Sequence, residues 1–354
     1  MMRGLRPKCG PNTIKSLIAL SCAAAMSAGT PALADDAGGF YAGKQVKFVV
    51  GYSPGGGYDT YTRLLANHLG RHIPGNPSVI VTNMPGGGSL KAANYTYNVA
   101  PKDGTHIGVF SIPAAVEPLL GRKNAKYDAL SFNWIGNMYV DTHSCVTWHE
   151  TSIRSLQDVV DSKEPIVFGA TSKGSYGNMH ARVLQSMVGA NVKIVLGYRG
   201  IKGVGKALEG REVAAACAMS VSTLSSSFRS QVESGKFRPF VQFGKENKPF
   251  FGKASNFYSM LKSDKQRTVA DFFFSQSAIA RPFALPPGVP ENRVAAVRNA
   301  FLAATKDPAL LAEAAKIGIG IEPEDHAAVE ASLKTLYATP AATLAEVKEI
   351  MGRE

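Results

Sequence analysis

The chain has 354 residues, with 39 lysines and arginines against 27 acidic residues and a formal net charge of +12. Aromatics make up 9% of it and do not interleave with basic runs, which argues against nucleic acid as a partner. A hydrophobic content of 45% at this length is enough for two α/β lobes with sizeable cores.

Residues 1–34 read as a secretory leader. Arg3, Arg6, Lys8 and Lys15 give a basic start, residues 16–25 a short apolar stretch, and Ala32-Leu33-Ala34 a small-x-small cleavage site, with cleavage after Ala34. The apolar stretch is too short to span a bilayer, and Ala19-Leu20-Ser21 before Cys22 is a poor lipidation signal. Cleavage leaves 35 basic and 27 acidic residues, a net charge of +8. No later segment is long and apolar enough to cross a membrane, so the mature chain is expected to be exported to the periplasm as a monomer. Cys9 and Cys22 leave with the leader. In an oxidising compartment Cys145 and Cys217 either pair or remain two buried thiols, and the sequence leaves both open.

Strand, loop and helix then alternate. Residues 47–51 read as a strand, 60–71 as a helix with Leu64, Leu65, His68 and Leu69 on one face, and 78–82 as a strand. A glycine turn at 84–88 precedes a helix over 89–99, and 105–110 closes a third strand. The alternation predicts a parallel sheet covered by helices. Residues 134–147 form a longer strand-like segment that crosses into a second lobe. There the alternation resumes with helix 153–160, strand 166–170, helix 178–188, strand 192–196, helix 203–208 and strands 212–217 and 237–243. Residues 272–285 are a second crossing. From Pro290 the chain is helical, in four helices ending near Met351. The lobes are therefore expected at 35–140 plus 275–354 and at 141–274.

Two loops stand out. In Gly51-Tyr-Ser-Pro-Gly-Gly-Gly-Tyr-Asp59, an apolar strand runs into a glycine turn and an amphipathic helix. This layout presents backbone N–H groups to an anion. Gly55, Gly56 and Gly57 allow close approach, with Gly56 as the position where a side chain blocks a ligand. Ser53 and Thr60 add hydroxyls. Asp59 sits where a helix N-cap belongs, and a carboxylate beside an anion repels it, so capping outweighs ligand contact for this residue. The second loop, Thr171-Ser-Lys-Gly-Ser-Tyr-Gly177, brings Thr171, Ser172, Gly174, Ser175, Tyr176 and Gly177 to the start of another helix. Gly86, in the 84–88 turn, either lines the same cleft or only turns the chain. Tyr52, Tyr58, Tyr176 and Tyr198 flank the loops and could wall a ligand.

Three other patterns carry less. Gly200-Ile-Lys-Gly-Val-Gly-Lys-Ala207 has nucleotide-loop spacing, but Ala207 stands where magnesium binding needs a hydroxyl. His68-Leu-Gly-Arg-His72 lacks the general-base glutamate of a zinc protease, and His143, Cys145 and His149 lie along a strand-like segment in poor geometry for a metal. No cofactor and no metal is expected.

Several motifs together resemble the substrate-binding proteins of tripartite tricarboxylate transporters, the TctC/Bug receptor family. They are Val49-Val-Gly-Tyr-Ser-Pro-Gly-Gly-Gly-Tyr-Asp59, Asn83-Met-Pro-Gly-Gly-Gly88 with Ala92-Ala-Asn94 and Pro101-Lys-Asp-Gly-Thr105, Leu285-Pro-Pro-Gly-Val-Pro290, and Lys306-Asp-Pro308. The resemblance covers nearly all of the mature chain. It implies an α/β, two-lobed type II periplasmic-binding-protein fold and a non-enzymatic receptor. That receptor grips the carboxylate of a small organic acid between loops 53–60 and 171–177 and docks on inner-membrane transporter subunits. Tyr58 is bulkier than the family's usual residue, and Glu212-Val-Ala-Ala215 lacks an Asp often found in that strand. Two other readings remain: an extracytoplasmic sensing partner of a membrane kinase, and an exported enzyme using Ser175 with His180.

Overall fold

The computed structural model describes residues 37–352, so the leader and its cleavage site at Ala34 lie outside the described residues. The valine-rich run at 45–50 becomes a central strand buried on both faces, as parallel sheets require, while the strands at 78–83 and 192–196 lie at the sheet edges and are only partly covered. In β1 (Gln45–Val50), Val46, Phe48, Val49 and Val50 are all buried. It pairs in parallel with β2 (Ser78–Asn83) on one side and β3 (His106–Val109) on the other. The remaining strands are β4 (Asn133–Asn137), β5 (His143–Trp148), β6 (Ile166–Ala170), β7 (Val192–Leu196), β8 (Ala215–Ser220), β9 (Phe237–Gln242), β10 (Ser255–Asn256), β11 (Pro282–Leu285) and β12 (Glu324–Asp325).

They form two six-stranded sheets, β12-β4-β11-β3-β1-β2 and β10-β9-β5-β8-β6-β7. Both are laid out alike, with a three-strand parallel edge followed by a strand that arrives from the other sheet. The arriving strands, β11 and β5, run antiparallel to both of their main neighbours. The expected all-parallel arrangement is thus corrected to mixed sheets. The cause lies in the crossings at 138–142 and 275–281, which carry the chain into the other sheet and so do not return a strand beside its predecessor as a parallel β-α-β unit does. The expected strand at 212–217 lies three residues later, after a turn in which Arg211 takes φ 59°.

The helices that matter for the site are α1 (Gly57–Leu69), α2 (Leu90–Asn98), α3 (Tyr176–Val188), α4 (Gly200–Glu209), α5 (Val221–Ser226) and α6 (Asp264–Phe274). The four C-terminal helices are present at Glu291–Ala304, Pro308–Ile317, His326–Tyr337 and Ala341–Ile350. The last of these packs on α6 and α3, which belong with the second sheet. One apolar core runs through both halves, from Phe110 and Trp134 beside the first sheet to Phe168 and Phe240 beside the second. No helix among the described residues is long and apolar enough to cross a membrane.

Candidate functional site

The loops that leave β1, β6, β7 and β8 all come out at the carboxyl ends of strands, where open α/β sheets bind ligands. Between them lies a cavity of about 90 Å³. Three helices of ten or more residues begin on its wall: α1 through Gly56 and Gly57, α3 through Ser175 to Gly177, and α4 through Gly200 and Ile201. Each such end carries unsatisfied N–H groups and roughly half a positive charge. No side chain caps α1 or α4. Ser175 caps α3, accepting from the Asn178 N–H at 3.4 Å while donating to the Ser172 carbonyl at 2.8 Å. Ser220 and Thr223, at the start of α5, add two hydroxyls.

The rest of the wall is largely apolar. Tyr52 and Tyr58 stack with centroids 4.4 Å apart, and Ile201, Val204 and Ala218 close the opposite side. Among the described residues, no acidic side chain lines the cavity. One cation does. Arg281, 3% exposed, pairs with Asp141 at 3.0 Å, donates to Ser222 Oγ, and donates through Nη1 to the Ala280 carbonyl at 2.7 Å. Its guanidinium also lies over the rings of Tyr58 and Tyr61, at 4.9 and 5.2 Å. Burial opposes its charge, but Asp141 and then the surrounding tyrosines raise its pKa further. Burial, followed by Tyr52, pushes the Tyr58 hydroxyl well above its ordinary value, so it stays a donor.

Two histidines lie beside this wall. His143 lines the cavity, shares a hydrogen bond between Nδ1 and Ser277 Oγ at 2.8 Å, and sits 4.5 Å from the Tyr176 ring. Burial, and secondarily Arg281, push it down to about 3. His180 is wholly buried, stacked on Phe243 at 4.5 Å, and both its ring nitrogens lack a partner. Ser175 and His180 therefore form no hydrogen-bonded pair, and no nucleophile–base unit exists there.

Of the residues expected in the site, Tyr52, Ser53, Gly56, Gly57, Tyr58, Thr171, Ser175, Tyr176 and Gly177 line one cavity. Asp59 does not. It is the third residue of α1 and not its N-cap, which is Gly56. Its carboxylate reaches backward to the Gly55 N–H at 2.8 Å and takes Arg63 Nε at 2.9 Å and Asn83 Nδ2 at 2.8 Å. Asp59 and Gly55 thus shape the loop from behind, and Thr60, Ser172, Gly174 and Gly86 also lie off the wall. Tyr198 points away, its hydroxyl bonding Glu212 Oε1 at 2.6 Å. Arg281 and Asp141 escaped the reading of the sequence, and His143 entered it only as a discounted metal ligand. The available signal was a lone charge in each crossing: Asp141 in the first, and Arg281 within the otherwise uncharged run from Phe272 to Leu285.

Cys145 and Cys217 are bonded, with Cα atoms 3.9 Å apart on adjacent strands β5 and β8. The ladder slips there, so that Cys217 and Ala218 together oppose Cys145, and Ala218 takes φ 64° on the cavity wall. A left-handed alanine costs roughly 1–2 kcal/mol, partly offset in a glycine variant by the freer unfolded chain. Ala218→Gly is expected to raise unfolding stability by about 0.5–1 kcal/mol, read as a higher urea midpoint at unchanged slope. A lower midpoint would show that the bulge is relaxed.

No protein-family model matches the chain, and no curated protein matches it. Solved structures do. The periplasmic binding protein BugD superposes with TM-score 0.69 at 19% identity, over 88% of this chain and 98% of its own. MatC from Rhodopseudomonas palustris, solved with malate bound, superposes at 0.66 and 14% identity, over 87% and 99%. Another R. palustris protein, solved with adipate, superposes at 0.66 and 16% identity, over 87% and 97%. At these identities the likeness establishes the fold, which is that of the Bug-type periplasmic binding proteins.

Proposed function

We propose that this chain is a periplasmic solute receptor. It captures a small organic anion by its carboxylate and delivers it to inner-membrane transporter subunits of the tripartite tricarboxylate type. The observation that carries this reading is the cavity's charge pattern: three long helix N-termini and one buried guanidinium, with no carboxylate on the wall. An anion there gains charge-assisted hydrogen bonds to groups already fixed in place, and the apolar walls exclude competing water. The two halves, residues 35–140 with 275–354 and residues 141–274, act as lobes that close on the ligand, the C-terminal helix of the first reaching across to pack on the second. The gripping residues are Ser53, Gly56 and Gly57 from one side and Thr171, Ser175 and Gly177 from the other, with Tyr52, Tyr58 and Tyr176 as walls. The binding of malate and adipate by two proteins of the same fold supports an organic acid as ligand. The small cavity favours a compact one.

Isothermal titration of the mature protein with a panel of mono-, di- and tricarboxylates is the test. At least one acid is expected to bind, and at a hundred times its Kd to stabilise the fold by about 2.7 kcal/mol. Absence of heat and of any thermal shift across the panel at millimolar concentration would overturn the carboxylate reading.

A further inference from the structure

We propose that Arg281 and Tyr58 form a side-chain anion subsite, so that this receptor reads its ligand's charge through a guanidinium as well as through backbone N–H groups. The inference rests on the receptor reading above and narrows it to one gripping element.

Both residues line the cavity, and they are 3% and 9% exposed. Arg281 Nε and Tyr58 Oη are buried polar atoms without a well-formed hydrogen bond in the protein, the Tyr58 hydroxyl lying close to the guanidinium. Such atoms are rare in folded proteins and ask for an explanation, because an unmet buried donor costs about 1–3 kcal/mol. Nε carries a proton to give, as does a tyrosine hydroxyl kept protonated. Even where Nε donates to the tyrosine oxygen, the tyrosine proton is left without an acceptor, and an anionic oxygen is the strongest available.

The guanidinium is prepared for this task. Its Nη2 donates to Asp141 Oδ2 and to Ser222 Oγ, and one Nη1 proton goes to the Ala280 carbonyl. Asp141 does not line the cavity. Its Oδ1 takes the Thr142 N–H at 2.9 Å and its Oδ2 takes Ser222 Oγ. The counter-ion therefore lies off the cavity wall. It removes the cost of an unpaired buried charge in the empty receptor by way of Nη2, without taking the Nε proton. Arg281 is also held from both halves: Tyr58 and Tyr61 of α1 against its face, and Ser222 of α5 at its end. A ligand oxygen on Nε would thus meet a group fixed by both sides of the cleft.

The experiment uses the mature receptor and the acid of the calorimetric panel that wild type binds best. Arg281→Gln alone would strand the Asp141 carboxylate and risk the fold, so the working variant is Arg281→Gln with Asp141→Asn. It is expected to melt cooperatively with an intact far-ultraviolet spectrum and to bind that acid at least a hundredfold more weakly. Tyr58→Phe keeps the stack on Tyr52 and is expected to lose about tenfold. Wild-type affinity in the folded double variant, or in Tyr58→Phe, would overturn the subsite while leaving the receptor reading intact. A wild type that binds none of the acids would sink the receptor reading instead. If the double variant fails to fold, Tyr58→Phe decides alone.

Discussion

Gly88→Ala is expected to weaken ligand binding by a hundredfold or more while leaving a folded protein. Gly88 lies in the loop after β2, on the first-sheet side, and takes φ 72°. A Cβ there would fall 2.3 Å from the Gly174 carbonyl oxygen, 2.4 Å from its carbon and 3.0 Å from the Ser175 nitrogen. Gly174 belongs to the loop after β6, on the second-sheet side, and a Cβ on it would in turn meet the Gly87 carbonyl oxygen at 2.7 Å. The two loops therefore touch backbone to backbone across the cleft. Atoms of a main chain cannot step aside as a flexible side chain can, so a methyl group would wedge the loops apart by roughly an ångström. The left-handed conformation adds a strain of roughly 1–2 kcal/mol. On the proposed receptor reading the consequence falls on closure, since an open cleft would leave the ligand's carboxylate facing water. Calorimetry with the best-binding acid of the panel, together with small-angle scattering with and without it, reads both effects. Retained affinity with normal ligand-induced compaction would show that the loops separate without cost. Gly56→Ala is the internal comparison. Its Cβ would meet Ile201 Cγ2 at 3.5 Å, an ordinary contact, so a loss below tenfold is expected.

That contrast shows what the sequence could convey. Glycine clusters after apolar strands mark loops that expose backbone to a ligand, and the loops at 51–57 and 171–177 do meet at one cavity. Within a cluster, all glycines look alike. Gly55 is fixed by its own φ of 78°, a Cβ on Gly56 would meet the protein only at ordinary contact distance, and a Cβ on Gly57 would lie 2.8 Å from Arg281 Nη2. Those differences arise from neighbours far along the chain. Asp59 illustrates a finer limit. Spacing placed a carboxylate at the helix start, but the start moved to Gly57, and the same residue then reached back to Gly55 rather than forward. The alternation of elements carried the two-sheet order, because helix and strand periods are local. The antiparallel fourth strand of each sheet was hidden, since direction depends on how a crossing travels. Both crossings also carried the charge that matters. Asp141 and Arg281 are 140 residues apart, and only the fold brings them together.

Acidification from pH 7.5 to 5 is expected to cost the protein about 4 kcal/mol of stability, through His143 and His180. In the folded chain both are buried and held neutral. His143 is pushed down to about 3 by burial and by Arg281, and His180 is pushed well below its ordinary value by burial and by His143. The groups packed on His143 are Tyr176, His180 and Ser277. Those on His180 are Phe243, Phe274, Tyr176 and His143, and none of these is an anion that would stabilise an imidazolium. Unfolded, each would titrate near 6.5. Above that pH both states are neutral and the histidines contribute nothing to the pH dependence. Below it the unfolded chain binds protons that the folded chain refuses, so stability falls by up to about 1.4 kcal/mol per pH unit for each histidine. His106, also lowered by burial first, adds a smaller term of the same sign. The carboxylates of Asp59, Asp103 and Asp158 are lowered from 3.8, so their contribution is lost only at more acidic pH and the window from 6.5 to 5 belongs to the histidines. Urea melts at pH 7.5, 6 and 5 would measure the slope. His180→Phe extends the cage already made by Phe243 and Phe274 and removes one of the two groups, so it should recover about 2 kcal/mol at pH 5 relative to wild type. A wild-type midpoint that does not move between pH 7.5 and 5 would mean that these histidines take up protons in the folded state without cost. That result would require an anion or water chain beside them, a possibility their aromatic and hydroxyl surroundings argue against.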